Sequence, residues 1–267
     1  MIMGLPMYAL PEVSRATLDW WIGLCRHFRQ AGIDDLPLTM VEPGDLYEHW
    51  RQPSLLFTQT CGYPLTHNLA GQVQLVATPC YRAPGCEGST YRSFVVVRDD
   101  DAIEDLEDLK GKRVAFNSRD SQSGYNCLRH LIAPLAQAGR FFEMAVETGG
   151  HRRSLAAVRQ GKADVASIDC VSYALIAAVA PGEVAGIRVL CESALAPNLP
   201  YITDAATSAQ KLARLQDGLR AAVADPQLAA TRETLLIKDV TVLHRDVYDV
   251  ILSMERAAID AGYRDLD

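Results

Sequence analysis

Short β-branched runs alternate with helical stretches through the middle of this chain, and this alternation restricts its fold more than any other feature. Phe94 to Val97 is a compact apolar run typical of a buried strand. Val114 to Phe116, Phe142 to Thr148 and Ala163 to Ile168 are further strand candidates, and helical stretches separate them. Strands that alternate with helices predict an α/β fold with mainly parallel sheets.

The flanking regions are expected to continue this alternation. The apolar spacing after Ser14 predicts a long helix, and Ser208 is expected to cap another. Apolar residues at helical spacing between Val247 and Ala258 predict the last helix. Further strands are expected at Leu5 to Leu10, Leu38 to Val41, Ser54 to Thr58, Gln72 to Thr78 and Ile187 to Glu192.

The breaks between these elements divide the chain into two predicted lobes. Residues 98–195 hold one complete alternation and are expected to form an inserted second lobe. Residues 1–97 and 196–267 would then form a discontinuous first lobe, because the segment Ala196 to Tyr201 is typical of a crossover. Two crossovers would leave a cleft between the lobes, and small ligands bind preferentially in such places.

The composition excludes several classes of protein. The chain has 267 residues and a net charge of −7, which argues against a nucleic-acid binder because such a protein needs a basic face. The longest apolar stretch, Ala174 to Ala180, is far shorter than the roughly 20 residues of a membrane span. No basic residue precedes the apolar segment Met1 to Tyr8, so a secretory signal is not expected. The location expected from this chain is cytoplasmic, or periplasmic if an export segment is missing from it.

Seven cysteines are scattered along the chain, and none forms a CxxC pair, which excludes a zinc ribbon or a thioredoxin motif. They are expected to be reduced and mostly buried. Cys80 and Cys86 flank a turn-rich loop and are the pair that could join if oxidised. The chain has no P-loop, GxGxxG, GxSxG or HExxH motif, so neither a cofactor nor a metal site is expected.

Small polar residues follow the strand that ends at Phe116, where the next helix is expected to begin. Free backbone N–H groups at a helix start favour an anion, and the hydroxyls of Ser121 and Ser123 would add donors beside them. Gln122 could contribute an amide N–H. The alternative is that Ser121 or Ser123 only caps the helix, since serine is a common cap.

Two more polar residues follow neighbouring strands. His151 comes after two glycines at a helix start, where it can donate a hydrogen bond to an anion and titrate near neutral pH. Asp169 ends a strand, where it could accept a proton from a monoprotonated oxyanion or hold an ammonium group. The alternative for both residues is local capping or packing.

Three tyrosines, Tyr8, Tyr63 and Tyr91, stand near predicted strand ends. A tyrosine there can donate its hydroxyl to a ligand and line a pocket with its ring. Because the chain has ten tyrosines and these three are chosen by position alone, they are weaker candidates for the same site.

These segments, in this order, resemble the PhnD-like family, the phosphate, phosphite and phosphonate substrate-binding proteins of ABC transporters. The resemblance covers at least residues 54–205. It rests on Asp108–Phe116 with Ser121–Tyr125, on Gly149–Val158, on Gly161–Asp169, and on the strand from Tyr91 to Arg98.

The resemblance implies a type II periplasmic-binding-protein fold, in which two α/β lobes joined by two hinge crossovers close on a small oxyanion. By position, it assigns the anion donors to Ser121, Gln122, Ser123 and His151, with Gln122 standing where the family commonly has threonine. Tyr63, Tyr91 and Asp169 are carried over as further ligand-binding residues.

The first functional hypothesis is therefore non-catalytic binding of a phosphonate-like or phosphate-like anion by a monomer that works with an ABC permease. One alternative is an enzyme on the same fold, in cofactor biosynthesis of the thiamine-pyrimidine kind. Such an enzyme would need a reactive histidine or cysteine cluster, for which only His151 and Cys170 are candidates. Another is the sensing domain of a regulator, which would need a separate DNA-binding partner.

Overall fold

A computed structural model describes residues 1–266 as an α/β structure. The strands, in chain order, are β1 (Ile2–Met3), β2 (Leu55–Gln59), β3 (Val73–Tyr81), β4 (Cys86–Glu87), β5 (Thr90–Tyr91), β6 (Ser93–Arg98), β7 (Arg113–Phe116), β8 (Met144–Glu147), β9 (Val165–Asp169), β10 (Ile187–Glu192), β11 (Ala196–Pro197), β12 (Tyr201–Asp204) and β13 (Ile237–Thr241).

The α-helices are α1 (Ser14–Gln30), α2 (Leu46–Trp50), α3 (Gly62–Thr66), α4 (Cys127–Ile132), α5 (His151–Arg159), α6 (Cys170–Val179), α7 (Ala209–Ala224), α8 (Ala229–Thr234) and α9 (Asp249–Asp260). A π-helical turn, Gln122–Asn126, leads into α4. As predicted, Ser208 caps α7 by accepting a hydrogen bond from the Lys211 N–H.

The chain forms two compact units. The first contains residues 1–82, 87–89 and 197–247, and the second contains residues 83–86, 90–196 and 248–267. These bounds differ from the expected lobes, because residues 90–97 and the C-terminal segment from residue 248 belong to the second unit. The chain therefore passes between the units a third time, at 247–248, besides the passages near 83–90 and at 196–197.

The first unit is built on a five-stranded sheet with the order β1-β2-β12-β3-β13. β1 and β2 are parallel, whereas β12 runs antiparallel to both of its neighbours and β13 runs antiparallel to β3. Phe57 stacks on Tyr201 with ring centroids 4.8 Å apart and meets the edge of Phe28 at 5.1 Å. Helices α1 and α7 approach closely at Gly218, where an added Cβ would lie 2.6 Å from the Phe28 ring.

The second unit is built on another five-stranded sheet, with the order β10-β6-β9-β7-β8. β7 runs parallel to β8 and to β9, so the carboxyl ends of these three strands lie at one edge of the sheet. β6 runs antiparallel to β9 and β10. Both sheets are therefore mixed, and the expectation of mainly parallel sheets was wrong. The local pattern of a buried strand does not reveal its direction, which explains the error.

The last helix, α9, packs in the second unit rather than in the first. Asn126 donates from Nδ2 to the Ile251 carbonyl at 3.0 Å, and Arg129 pairs with Glu255 at 3.1 Å. Ala258 and Tyr263 are fully buried in the same core as the central strands. These contacts explain why the C-terminal segment departs from its expected lobe.

Two expected strands are absent from the described residues, and several short elements were missed, among them strands β12 and β13. At the N-terminus only Ile2–Met3 is a strand, because Pro6 lacks an N–H group and Tyr8 has a left-handed φ of 59°. The segment Leu38 to Val41 is irregular, and the Leu38 side chain is 97% exposed. The missed strands β12 and β13 are short, and each depends on pairing with β3, which is distant in sequence.

None of the seven cysteines, all of which lie within residues 1–266, forms a disulfide bond. Cys80 and Cys86 were expected to lie near each other, but the sulfur of each contacts a different residue. The Cys80 sulfur lies 3.6 Å from the Thr241 hydroxyl, whereas the Cys86 sulfur lies 3.5 Å from that of Cys170.

Within residues 1–266, the structure contains no cluster of three or more histidine, cysteine or acidic side chains able to hold a metal ion. Over the same range, no helix has the length and apolar character needed to cross a membrane.

Candidate functional site

One edge of the second unit's sheet collects the starts of three helical segments. The carboxyl ends of β7, β8 and β9 lie together there, and Phe116 pairs with Glu147. The π-helical turn begins at Gln122, α5 begins at His151 and α6 begins at Cys170. Free N–H groups at helix starts carry partial positive charge, so this edge favours an anion.

Ser121 caps the π-helical turn, as its alternative interpretation predicted. Its Oγ accepts a hydrogen bond from the Gly124 N–H at 3.0 Å and lies 3.4 Å from the Ser123 Oγ. An added Cβ at Gly124 would lie 1.9 Å from Asn117 Oδ1. Local packing against Asn117 therefore requires glycine at position 124.

Ser123 and His151 meet at this edge. The Ser123 Oγ lies 2.9 Å from the His151 Nε2, and which atom donates depends on the tautomer of the imidazole. The Ser123 carbonyl accepts hydrogen bonds from the Ser167 Oγ at 2.7 Å and from the Cys127 Sγ at 2.8 Å. Two groups thus fix the backbone of Ser123 and, with it, the position of its hydroxyl.

His151 is neutral at physiological pH. Burial lowers its pKa from the usual 6.5 to about 4, and the backbone of Ser167 opposes this shift. The preceding Gly149 has a left-handed φ of 77°, which turns the chain from β8 into α5. A neutral imidazole has one N–H to donate and one nitrogen that accepts.

Gln122 is buried, and its side-chain amide contacts the C-terminal helix. Its Nε2 lies 3.2 Å from the Met254 sulfur, and its Oε1 accepts from Asn126 Nδ2 at 2.8 Å. The structure thus separates the three loop residues by role. The Ser121 and Ser123 hydroxyls lie near each other, while the Gln122 side chain anchors the loop.

Asp169 is 1% exposed and caps α6, because its Oδ1 accepts from the Ser172 N–H at 2.9 Å. Asp169 therefore acts as a helix cap, which was the alternative interpretation of this residue. Tyr91 is also buried and lies two residues before Ser93, which pairs with Asp169 across β6 and β9. The structure brings both residues to the sheet edge that also carries Ser123.

Tyr8 and Tyr63 belong to the first unit. The Tyr63 ring stacks on His67, with centroids 3.8 Å apart, and the Tyr8 ring meets the edge of Tyr81 at 5.3 Å. Neither belongs to the group of residues around Ser123 within the second unit.

Sequence reasoning missed Ser167 and Thr148, two hydroxyl residues that organise this edge. Ser167 bonds to the Ser123 carbonyl, and the Thr148 Oγ1 lies 2.7 Å from the Ser154 Oγ and 3.0 Å from the Phe116 carbonyl. One signal was available for Ser167, which interrupts the apolar run of β9 with a buried hydroxyl. A buried polar residue needs a partner and so marks a structural connection.

The profile of the family described as periplasmic substrate-binding protein of a phosphonate ABC transporter matches residues 54–248 of the chain. No curated protein matches the sequence significantly. Several solved structures share the fold across nearly the whole chain.

A phosphonate-transporter binding protein from Pseudomonas aeruginosa is 17% identical, with a TM-score of 0.78 over 98% of this chain and 87% of that one. PhnD1 from Prochlorococcus marinus, in complex with methylphosphonate, is 12% identical, with a TM-score of 0.78 over 96% of this chain and 97% of that one. A Xanthomonas citri protein bound to ATP is 16% identical, with a TM-score of 0.71 over 98% of both chains. The α/β type II fold and the resemblance to PhnD-like proteins are thereby confirmed. The chain belongs to the family of periplasmic substrate-binding proteins that serve phosphonate ABC transporters.

Proposed function

We propose that this chain binds a small phosphorus oxyanion, a phosphonate or a phosphate, at the sheet edge that carries Ser121, Ser123 and His151, and releases it unchanged. The observation that carries the proposal is the 2.9 Å contact between the Ser123 hydroxyl and the His151 imidazole, at the edge where three helical segments begin. Membership in the phosphonate-binding family supports the ligand class. The methylphosphonate bound to PhnD1, a structure of the same fold, supports it as well.

The donors at this edge match a tetrahedral oxyanion. Such an ion presents three or four acceptor oxygens, and hydrogen bonds from several directions bind it best. The Ser121 and Ser123 hydroxyls, one imidazole N–H of His151 and the helix-start N–H groups that no side chain caps supply donors without a fixed cation. Asp169 and Tyr91 are proposed to complete the site from β9 and β5.

The acid–base properties of the second unit favour binding over catalysis. A general base works best with a pKa near the operating pH, and burial lowers the pKa of His151 to about 4. Burial raises the pKa of Cys127, and a hydrogen bond to Cys86 together with burial raises that of Cys170. Both thiols therefore resist forming the thiolate that a cofactor-synthesis enzyme would use as a nucleophile.

The family also implies partners and a location. Its members are periplasmic proteins of ABC transporters, so we propose an ABC permease as the partner to which the monomeric protein delivers its anion in the periplasm. Recognition of phosphoryl oxygens would be shared by phosphonates, phosphate and nucleotides. The ATP bound to the Xanthomonas citri relative makes a nucleotide a necessary member of any ligand panel.

Isothermal titration calorimetry of the full chain with methylphosphonate, phosphite, phosphate, sulfate and ATP tests the proposal. We expect one phosphorus oxyanion to bind with 1:1 stoichiometry and sulfate to bind more weakly. Phosphorus NMR of the saturated protein should show the ligand unchanged after hours. The absence of heat and of thermal stabilisation with every ligand at millimolar concentration would contradict binding, and a new phosphorus resonance would favour the enzyme alternative.

A further inference from the structure

Two cysteines of the second unit lie in sulfur contact outside the serine–histidine pair. The Sγ atoms of Cys86 and Cys170 are 3.5 Å apart, although 84 residues separate them in sequence. Cys86 is partly exposed, whereas Cys170 is fully buried as the first residue of α6. Both are free thiols. Together they form a pair of neighbouring thiols, one of which an oxidant in solution can reach.

The main chain holds these cysteines side by side. Arg92 donates from its N–H to the Gly85 carbonyl at 3.0 Å, and its own carbonyl accepts from the Cys170 N–H at 3.2 Å. Gly85 has a left-handed φ of 88°, and an added Cβ there would lie 3.0 Å from the Cys170 Cβ. Gly85, which precedes Cys86, therefore packs directly against Cys170, and a side chain at position 85 would push the two cysteines apart.

We propose that Cys86 and Cys170 form a reversible disulfide and so constitute a modification site, distinct from the Ser123–His151 pair and adjacent to Asp169. A disulfide bond requires the sulfurs to approach to about 2.05 Å. The movement needed from the present contact is about 1.5 Å, which rotation of side chains on adjacent backbones can supply.

The oxidant is a disulfide compound, written RSSR, such as oxidised glutathione or the disulfide of an oxidoreductase. The Cys86 thiolate attacks one sulfur of RSSR, forms a mixed disulfide and releases the first RS⁻. The Cys170 thiolate then attacks the Cys86 sulfur and releases the second RS⁻. The two cysteines lose two protons and two electrons in total, and RSSR is reduced to two thiols.

The difference in solvent exposure between the two cysteines determines the order of these steps. Cys86 is accessible to an oxidant, whereas Cys170 is reached only by a sulfur already beside it. The hydrogen bond to Cys86, burial and the nearby charge of Asp169 raise the pKa of Cys170, so the second attack should be the slower one. The bond would tie residue 86, where the chain passes to the first unit, to the start of α6 beside Asp169.

Oxidation of the reduced full-length chain with excess oxidised glutathione tests the proposal. Trypsin cleaves after Arg82 and Arg92, so Cys80 and Cys86 fall in different peptides. Mass spectrometry without reductant should find the peptide of residues 83–92 joined to that of residues 163–188. Maleimide titration in denaturant should find that two of the seven thiols are lost. The melting temperature should rise by several degrees and return after dithiothreitol, because a long closed loop restricts the unfolded chain.

Three variants make the test specific. Cys86→Ser and Cys170→Ser should each abolish the joined peptide and the thermal shift, whereas Cys191→Ser, at another partly exposed cysteine, should retain both. If Cys170→Ser fails to fold, Cys86→Ser still carries the test, because position 86 is partly exposed. Seven reactive thiols after oxidation, a lasting glutathione adduct on Cys86, or a bond from Cys86 to another cysteine would overturn the proposal.

Discussion

The Ser123 hydroxyl and the His151 Nε2 lie 2.9 Å apart although 28 residues separate them in sequence. The contact joins the π-helical turn after β7 to the first residue of α5. Because the two side chains sit at neighbouring helix starts, a group that binds one is within reach of the other.

Replacing Ser123 by alanine should weaken binding of methylphosphonate much more than it weakens folding. A hydrogen bond to a charged acceptor contributes about 1.5–3 kcal/mol, which corresponds to roughly a 10- to 100-fold loss of affinity. The loss of folding stability should be near 1 kcal/mol. Calorimetric titration and denaturant melts of the same samples measure both quantities.

The matched control is Ser253→Ala, which removes an exposed hydroxyl from α9 of the same unit. It should leave affinity and stability nearly unchanged. Equal affinity of the Ser123→Ala protein and the wild type would limit Ser123 to a structural role.

His151 should make ligand binding dependent on pH below neutrality. The free protein holds the pKa of His151 at about 4, and a bound anion should raise it, because an opposite charge favours the imidazolium. Proton uptake on binding should therefore be small at pH 7.5 and grow as the pH falls towards 5. Titrations in two buffers of different ionisation enthalpy measure this uptake, and His151→Gln should remove the histidine's share. Identical uptake by the two proteins would place His151 outside the site.

The same histidine should affect the stability of the ligand-free protein. Its folded pKa of about 4 lies below the unfolded value near 6.5, so between these values the unfolded chain binds more protons than the folded one. Stability should therefore fall as the pH decreases from about 6.5 to 4. Urea melts across this range should show a smaller decrease for His151→Gln. A decrease of the same size in both proteins would contradict the neutral state of His151 in the folded protein.

Gly124→Ala should destabilise the protein by about 1–3 kcal/mol, the usual cost of an overpacked site. The added Cβ would lie 1.9 Å from Asn117 Oδ1, so either the turn or the asparagine side chain must move. Denaturant melts measure the loss. Gly182→Ala is the control, since no atom lies within 4 Å of a Cβ there. The double variant Gly124→Ala with Asn117→Ala should recover most of the loss, and a failure to recover would show that the strain lies in the backbone.

Asp164→Asn should lower stability at neutral pH by about 1–2 kcal/mol, because the carboxylate accepts two hydrogen bonds from the partly exposed Arg113 side chain, at 2.7 and 3.1 Å. The Arg113 contact holds the Asp164 pKa below its usual 3.8. The stabilisation is thus complete above pH 4 and is lost as the pH falls through the folded pKa. Melts at pH 7 and pH 3 should show the difference from wild type shrinking in acid.

The exposed Asp217, paired with Arg220, provides the control for this prediction. Asp217→Asn should change stability little at either pH. A difference between Asp164→Asn and wild type that stays constant from pH 7 to pH 3 would show that the carboxylate charge is not its source.

The sequence predicted local features of this protein better than long-range ones. The strand at Phe94 to Val97 and the helix that begins at Ser14 are present because their periodicity is local. The placement of α9 was missed, because an apolar stripe does not identify the surface it packs on, whereas long-range contacts such as that of Arg129 with Glu255 do.

The candidate site shows the same division. Ser121 and His151 could be placed at helix starts from glycine and serine signals alone. The contacts of Ser167 with Ser123 and of Cys86 with Cys170 depend on how strands and turns distant in sequence assemble, so no local pattern encodes them.

The C-terminal segment has a consequence for synthesis of the protein. Ala258, Tyr263 and Leu266 are fully buried in the core of the second unit, although its central strands are made more than 80 residues earlier. Until residues 248–266 have left the ribosome, that core has an open apolar face and Arg129 lacks Glu255. The second unit can therefore complete its folding only once residues 248–266 have been synthesised, well after its central strands.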